Sequence, residues 1–87
     1  MTRYRIATDA LAATLSDGAV LLHLETKRYY TLNETGMRVW VLLEQGNGVD
    51  DIVRTLVAEF EVEPDAARRE VDRLLEDLIR ERLVEPV

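Results

Sequence analysis

Residues 1–87 read as a single α+β domain: a three-stranded antiparallel sheet followed by three helices. Three observations predict it. Before position 33 the apolar residues fall in short runs of strand character, and after it they recur every three or four residues. An Asp-Gly pair separates the first two runs, a strong hairpin signal because Gly accepts positive φ. Residues that start or stop helices, Asn33, Gly46 and Pro64, punctuate the second half.

The first strand is "LAATLS" (11–16) and the second "AVLLHLE" (19–25), joined through Asp17-Gly18. Val20, Leu22 and Leu24 share one face of the second strand, and Leu21 and His23 the other. Both faces are largely apolar, which suits a middle strand. "TKR" (26–28) turns the chain into the third strand, "YYTL" (29–32), which is left on an edge. "RYRIA" (3–7) is expected to fold back and shield the first strand, at the other edge.

Asn33 can cap the first helix, 34–44, with Met37, Trp40, Val41 and Leu42 or Leu43 turned inward and Gly46 as its stop. The second helix, 48–60, carries Asp50 and Asp51 in its first turn, where acids favour the helix dipole, and a stripe of Ile52, Leu56, Val57 and Phe60. The third begins at Pro64, with a stripe of Ala67, Val71, Leu74, Leu75, Leu78 and Ile79. Leu83 and Val84 are expected to close the chain against the body of the domain. A meander followed by three short helices resembles a winged helix-turn-helix arrangement.

Bulk properties narrow the function. Net charge is −6, which weighs against binding a phosphate backbone, since that needs clustered Lys and Arg. There is no cysteine, so disulfides and thiolate metal sites are excluded. No apolar run approaches the ~20 residues that span a bilayer. The stretch "MTRYRIATDALAATLSDG" lacks the apolar block of a signal peptide, making a cytoplasmic location the expectation.

A catalyst needs a nucleophile, an acid–base pair or a metal, and the chain offers none: no catalytic residues, metal ligands or cofactor loop can be named. The single histidine, His23, lies mid-strand and reads as a sheet-face residue. The carboxylates alternate with arginines along the helices. Arg68–Asp72, Arg69–Arg73 and Glu76–Arg80 sit at i, i+4, where Glu76–Arg80 is expected to attract and Arg69–Arg73 to repel, as on a solvated face. "EQGNGVDD" follows a helix rather than a strand, so its glycines read as helix punctuation, not a phosphate loop. Trp40 suits a core position better than a ligand platform. What remains is the edge of "YYTL", uncharged and guarded only at its entrance by Lys27 and Arg28, beside a broad apolar stripe on the third helix. Either the edge is merely short and tolerated, or it receives an extended guest peptide as an added strand.

The ordered set "DGAVLL", "ETKRYYTLNETG", "VWVLLEQG" and "VDDIVRTLVAEFEVEPDAARREVDRLLEDLIRERLV" resembles the PqqD-like family over residues 11–84. These are the precursor-peptide recognition elements of ribosomal peptide natural product pathways. Two positions depart from the pattern: Lys27 where a turn Gly is common, and Arg82 where Gly often ends the third helix. The resemblance implies a leader peptide bound antiparallel to the third strand, over a groove shared with the third helix. Carried onto this sequence, it implicates Arg28, Tyr29, Tyr30, Thr31 and Leu32 on the strand, and Ala67, Arg68, Val71, Asp72 and Leu75 on the helix. It looks most like the stand-alone leader-binding proteins of lasso-peptide biosynthesis. That likeness implies a leader with a Tyr-x-x-Pro stretch, a separate cysteine-protease-like leader peptidase as second partner, and neither nucleic acid nor membrane. Two alternatives stand beside it: a winged-helix DNA-binding regulator, and a chaperone in quinone-cofactor biosynthesis.

Overall fold

A computed structural model describes residues 3–87; positions 1 and 2, which the single-domain expectation includes, lie outside the described residues. The elements run β1 (Tyr4–Ile6), β2 (Ala10–Leu15), β3 (Gly18–His23), β4 (Tyr29–Asn33), α1 (Glu34–Glu44), α2 (Val49–Phe60), α3 (Pro64–Arg80) and β5 (Val84–Pro86). The α+β class stands, with an antiparallel sheet in the order β2-β3-β4. The expected meander is this sheet, its strands shifted by a residue or two at their ends, and β3 is the middle strand. Ala19, Leu21 and His23 turn inward and are buried against the helices, while Val20 and Leu22 face outward and are half-buried.

One expected contact is replaced. Residues 3–7 do not shield β2; β1 instead pairs antiparallel with β5 in a separate two-stranded sheet, Ile6 opposite Val84. The Ala7 N–H donates to the Leu83 carbonyl at 3.0 Å, and the Val87 N–H to the Arg3 carbonyl at 3.1 Å. Two three-residue strands nearly 80 positions apart leave no pattern in the sequence, yet each satisfies the other's backbone groups. Leu83 and Val84 are buried, as expected.

The helices begin and end for identifiable reasons. Asn33 caps α1: its side-chain oxygen accepts from the Gly36 N–H at 2.8 Å. At the end of α1, Gly46 takes φ +85°, with bonds from its N–H to the Leu43 carbonyl and from Asn47 N–H to the Leu42 carbonyl. That pair of bonds is the Schellman closure. The same closure ends α3, where Arg82 N–H bonds the Ile79 carbonyl and Leu83 N–H the Leu78 carbonyl. Here the left-handed residue is Arg82, at φ 63°, so the helix stops as sharply as a glycine would stop it. Lys27, in the β3–β4 turn, is left-handed too, at φ 65°. Both departures from the family pattern therefore keep the backbone shape that Gly ordinarily supplies.

The core joins Ala19, Leu21 and Leu32 of the sheet to Val39, Trp40, Leu42 and Leu43 of α1, Ile52 and Leu56 of α2, and Val71, Leu74, Leu75 and Leu78 of α3. Trp40 belongs to that core. β4 and α3 flank it, and the space between them is the most site-like feature of the fold.

Candidate functional site: the open edge of β4 and its cleft

In an antiparallel ladder, residues alternate between pairs that exchange main-chain bonds and pairs that do not. The His23 N–H donates to the Arg28 carbonyl at 2.9 Å, which sets the phase. Two residues on, Tyr30 lies opposite Leu21, and Leu32 opposite Ala19, so these two bond to β3. Tyr29 and Thr31 fall between, and their N–H and C=O groups point away from β3. β4 has no other partner among the described residues. The edge is open, and the main-chain groups of Tyr29 and Thr31 are what it offers.

Side chains alternate by the same rule. Tyr30 and Leu32 face the helices. Tyr29, 71% exposed, and Thr31 face the opposite side of the sheet. The Tyr30 hydroxyl donates to the Asp77 carboxylate at 2.8 Å, bridging β4 to α3. Asp77 also accepts from Arg80, and Arg73 stands 3.6 Å away. These donors, Arg80 first and Tyr30 second, hold the Asp77 carboxyl below the usual carboxylate range. Burial, then the bond to Asp77, pushes the Tyr30 hydroxyl above its ordinary value.

Beyond Tyr30 the strand and helix diverge over a small cleft of about 80 Å³, floored by Leu32, Val39, Leu56 and Leu74 and rimmed by Thr35, Glu70 and Arg73. It opens into a second hollow of about 140 Å³ between Phe60, Val62, Ala66 and Ala67. Asn33, Thr35, Leu56 and Glu70 border both, so the two form one trough beside the open edge. The larger hollow is mainly apolar, the smaller cleft is lined mostly by polar groups, and the rim carries an ion pair, Arg73 with Glu70 at 2.9 Å.

The expected strand residues Tyr29, Tyr30, Thr31 and Leu32 lie along this edge, and Arg28 stands at its entrance, paired with Glu81 at 3.0 Å. On α3 the placement differs from the sequence expectation. Ala67 lines the trough, but Val71 and Leu75 are core residues, 0% and 3% exposed. Arg68 is bonded to Asp50 of α2 and borders a shallow depression with Val53 and Val57, away from β4. Asp72, four residues on, shares that side. The reason is rotation: at 100° per residue, positions 66, 70, 73 and 77 form a stripe beside the core stripe 67, 71, 74 and 78. Sequence reasoning did not group Ala66, Glu70, Arg73 and Asp77 beside this edge, and it named Leu74 only as part of the apolar stripe. The signal was this second stripe of small and charged residues adjoining the apolar one.

Ion pairs along α3 also differ from the i, i+4 expectation. Arg68 leaves Asp72 for Asp50, and Arg80 takes Asp77 rather than Glu76. Arg73 lies between Glu70 and Asp77, which offsets repulsion from Arg69. No group of three or more His, Cys, Asp or Glu among the described residues is placed to hold a metal ion. No helix among them is long and apolar enough to cross a membrane.

The profile of the family described as coenzyme PQQ synthesis protein D (PqqD) matches residues 18–84. Among curated proteins no match was found. Two solved structures are similar over nearly the whole chain. One, "TbiB1 in Complex with the TbiA(beta) Leader Peptide", is 34% identical with a TM-score of 0.87, covering 93% of this chain and 94% of that one. The other, "Lasso peptide synthetase B1 complexed with the leader peptide", is 27% identical with a TM-score of 0.87, covering 97% and 99%.

Proposed function

The chain belongs to the PqqD family, and from that membership we propose that it is a non-catalytic module that captures the leader of a ribosomally made precursor peptide, in lasso-peptide maturation. The carrying observation is the unpaired edge of β4 beside a trough whose larger hollow is mainly apolar, in a fold shared with two proteins solved with leader peptides. The guest lies antiparallel to β4. It exchanges main-chain bonds with Tyr29 and Thr31 and turns alternate side chains into the trough. Leu32, Leu74, Phe60 and Ala67 supply apolar contact there. Arg28 guards the entrance, and the buried Val71 and Leu75 support the trough from beneath. Arg68 and Asp72, on the far side of α3, stay outside the contact.

A leader is disordered when free, so the contacts must offset its ordering entropy. About four backbone bonds and two buried side chains would give a Kd in the nanomolar to micromolar range, roughly −8 to −12 kcal/mol. The Tyr and Pro of a Tyr-x-x-Pro stretch are the side chains suited to the two hollows. The chemistry belongs to a separate cysteine-protease-like peptidase, to which this chain presents the bound leader. The family description, coenzyme PQQ synthesis protein D, also accommodates a role in quinone-cofactor biosynthesis.

Titration with the TbiA(beta) leader peptide, followed by calorimetry and amide NMR, tests the proposal. Saturable binding with the largest shifts at Tyr29 and Thr31 is expected. No binding at high micromolar peptide, or shifts confined to the Arg68 side of α3, overturns it.

A further inference from the structure

The sheet has a second edge, β2, which the leader-binding reading does not use. Its residues, "ALAATL", include no charge and no proline, the devices that ordinarily keep edge strands apart. Residues 3–7 leave it bare by pairing with β5, and among the described residues β3 is its one partner. The Leu24 N–H donates to the Asp9 carbonyl at 2.8 Å, which sets the phase of the β2–β3 ladder. Leu11, Ala13 and Leu15 therefore bond to β3, and the main-chain groups of Ala12 and Thr14 point to the open side. Leu11 and Leu15, each 52% exposed, lie on the outer face of the sheet with Ala13 between them. Ala12 and Thr14 face the helix side yet are exposed too, so β2 overhangs the helix layer with both faces accessible.

We propose that this edge pairs with the same edge of a second copy of the chain, antiparallel about a two-fold axis at Ala13. In that register Ala12 and Thr14 of each copy exchange main-chain bonds with Thr14 and Ala12 of the other, about four bonds in all. Leu11 packs on Leu15 of the second copy, at non-bonded positions where side chains come closest, and Ala13 meets Ala13 on the axis. A register centred on Ala12 would need the Ala10 N–H, which is already given to the Ala7 carbonyl at 3.1 Å. The open groups and the leucines of β2 are both symmetric about Ala13, so the strand is complementary to itself, as a two-fold interface requires. One short strand from each copy buries less than the ~1,200 Å² at which stable interfaces begin, so the association is reversible, with a Kd on the order of 100 μM. Charge opposes it: each chain carries −6, and the register sets Asp9 against Asp17 of the second copy at both ends. Salt therefore strengthens the pairing. The two sheets become one, with β4 outermost at each end and the two open edges about 24 Å apart at ~4.8 Å per strand. The pairing is independent of what guest β4 receives.

Sedimentation of the whole chain from about 20 μM to about 1 mM, in about 0.05 and about 0.5 M salt, tests the proposal. The mass is expected to rise from that of one chain, 10.0 kDa, toward twice that value, and further at the higher salt. Ala13→Lys and Ala13→Glu each set like charges face to face on the axis and should raise the Kd about tenfold or more. An equimolar mixture of the two variants should recover association. A parent that keeps single-chain mass at the highest concentration and salt overturns the proposal. So does an association that both variants leave unchanged, or that the mixture fails to restore. Loss of association in Thr31→Pro places the contact on β4 and overturns it as well. Should the Ala13 variants not fold, amide exchange of the parent decides. The Ala12 and Thr14 amides should exchange about threefold slower or more at the highest concentration than at the lowest. Equal rates at the two concentrations, or slowing confined to Tyr29 and Thr31, overturn the proposal.

Discussion

The Tyr30 hydroxyl and the Asp77 carboxylate meet at 2.8 Å across one end of the trough, so a side-chain bond holds β4 and α3 at their separation there. Backbone pairing does not reach that gap, because β4 pairs only with β3 and α3 bonds within itself. Tyr30→Phe keeps the ring and removes the tie. It should cost about 0.5–1.5 kcal/mol in urea unfolding at neutral pH. A stability equal to the parent's would show that the gap is set by packing alone.

The same pair predicts a pH signature. Asp77 titrates lower in the folded chain than unfolded, so its contribution is complete above the ordinary Asp value of about 3.9. It is lost as pH falls through the depressed folded value. Tyr30 is raised, so its contribution is complete below the ordinary tyrosine value of about 10 and is lost as pH rises beyond it. Asp77→Asn should flatten the acid limb of the stability curve and leave a smaller loss on the alkaline limb. An acid limb identical to the parent's would remove Asp77 from the account.

Proline separates the two sides of β4. The Thr31 N–H points to the open edge, so Thr31→Pro removes a donor that β3 never used, as edge strands allow. Leader affinity should fall more than about tenfold, a loss of ~1.4 kcal/mol or more, while the far-ultraviolet spectrum persists. Leu32→Pro deletes a ladder bond and should unfold much of the sheet. Unaltered leader affinity in Thr31→Pro would mean that no guest strand uses this edge.

The two faces of α3 give a matched contrast. Ala66→Leu adds bulk to the hollow of about 140 Å³ and should weaken leader binding about tenfold or more with little change in Tm. Arg68→Ala loses only a surface ion pair to Asp50, worth about 0–1 kcal/mol, and should bind the leader as the parent does. The opposite ranking in calorimetry would move the site to the α2 side of the helix.

Helix starts and stops were legible because single residues make them. Asn33 accepts the Gly36 N–H, Gly46 turns left-handed, and Pro64 opens α3 with no N–H to satisfy. The open edge was legible too, since Asp17-Gly18 and a second short turn leave "YYTL" outermost. Which α3 residues flank that edge was not. Spacing at three and four marks an apolar stripe without saying how the helix is rotated over the sheet. Val71 and Leu75 went to the core, and Glu70 and Arg73 to the trough. The β1–β5 pairing was beyond reach for another reason: three-residue strands have no readable period.

Arg82 offers a stability test. An L-residue in the left-handed region is strained by roughly 1–2 kcal/mol, which Gly avoids at some cost in unfolded-chain entropy. Arg82→Gly should therefore raise Tm by a few degrees, about 4–8 °C per kcal/mol in a chain of this size. Its loss of the contact to Glu25 is minor, since that pair is exposed. A lowered Tm would indicate that the arginine stem contributes packing greater than the strain.

The pairing of β1 with β5 brings Arg3 and Val87 within one hydrogen bond of each other. A few inserted glycines could therefore join those positions into a covalent ring with almost no distortion, and the chain could be reopened at an exposed loop tip. Such a rearranged polypeptide would keep every strand neighbour while changing which elements emerge first during synthesis.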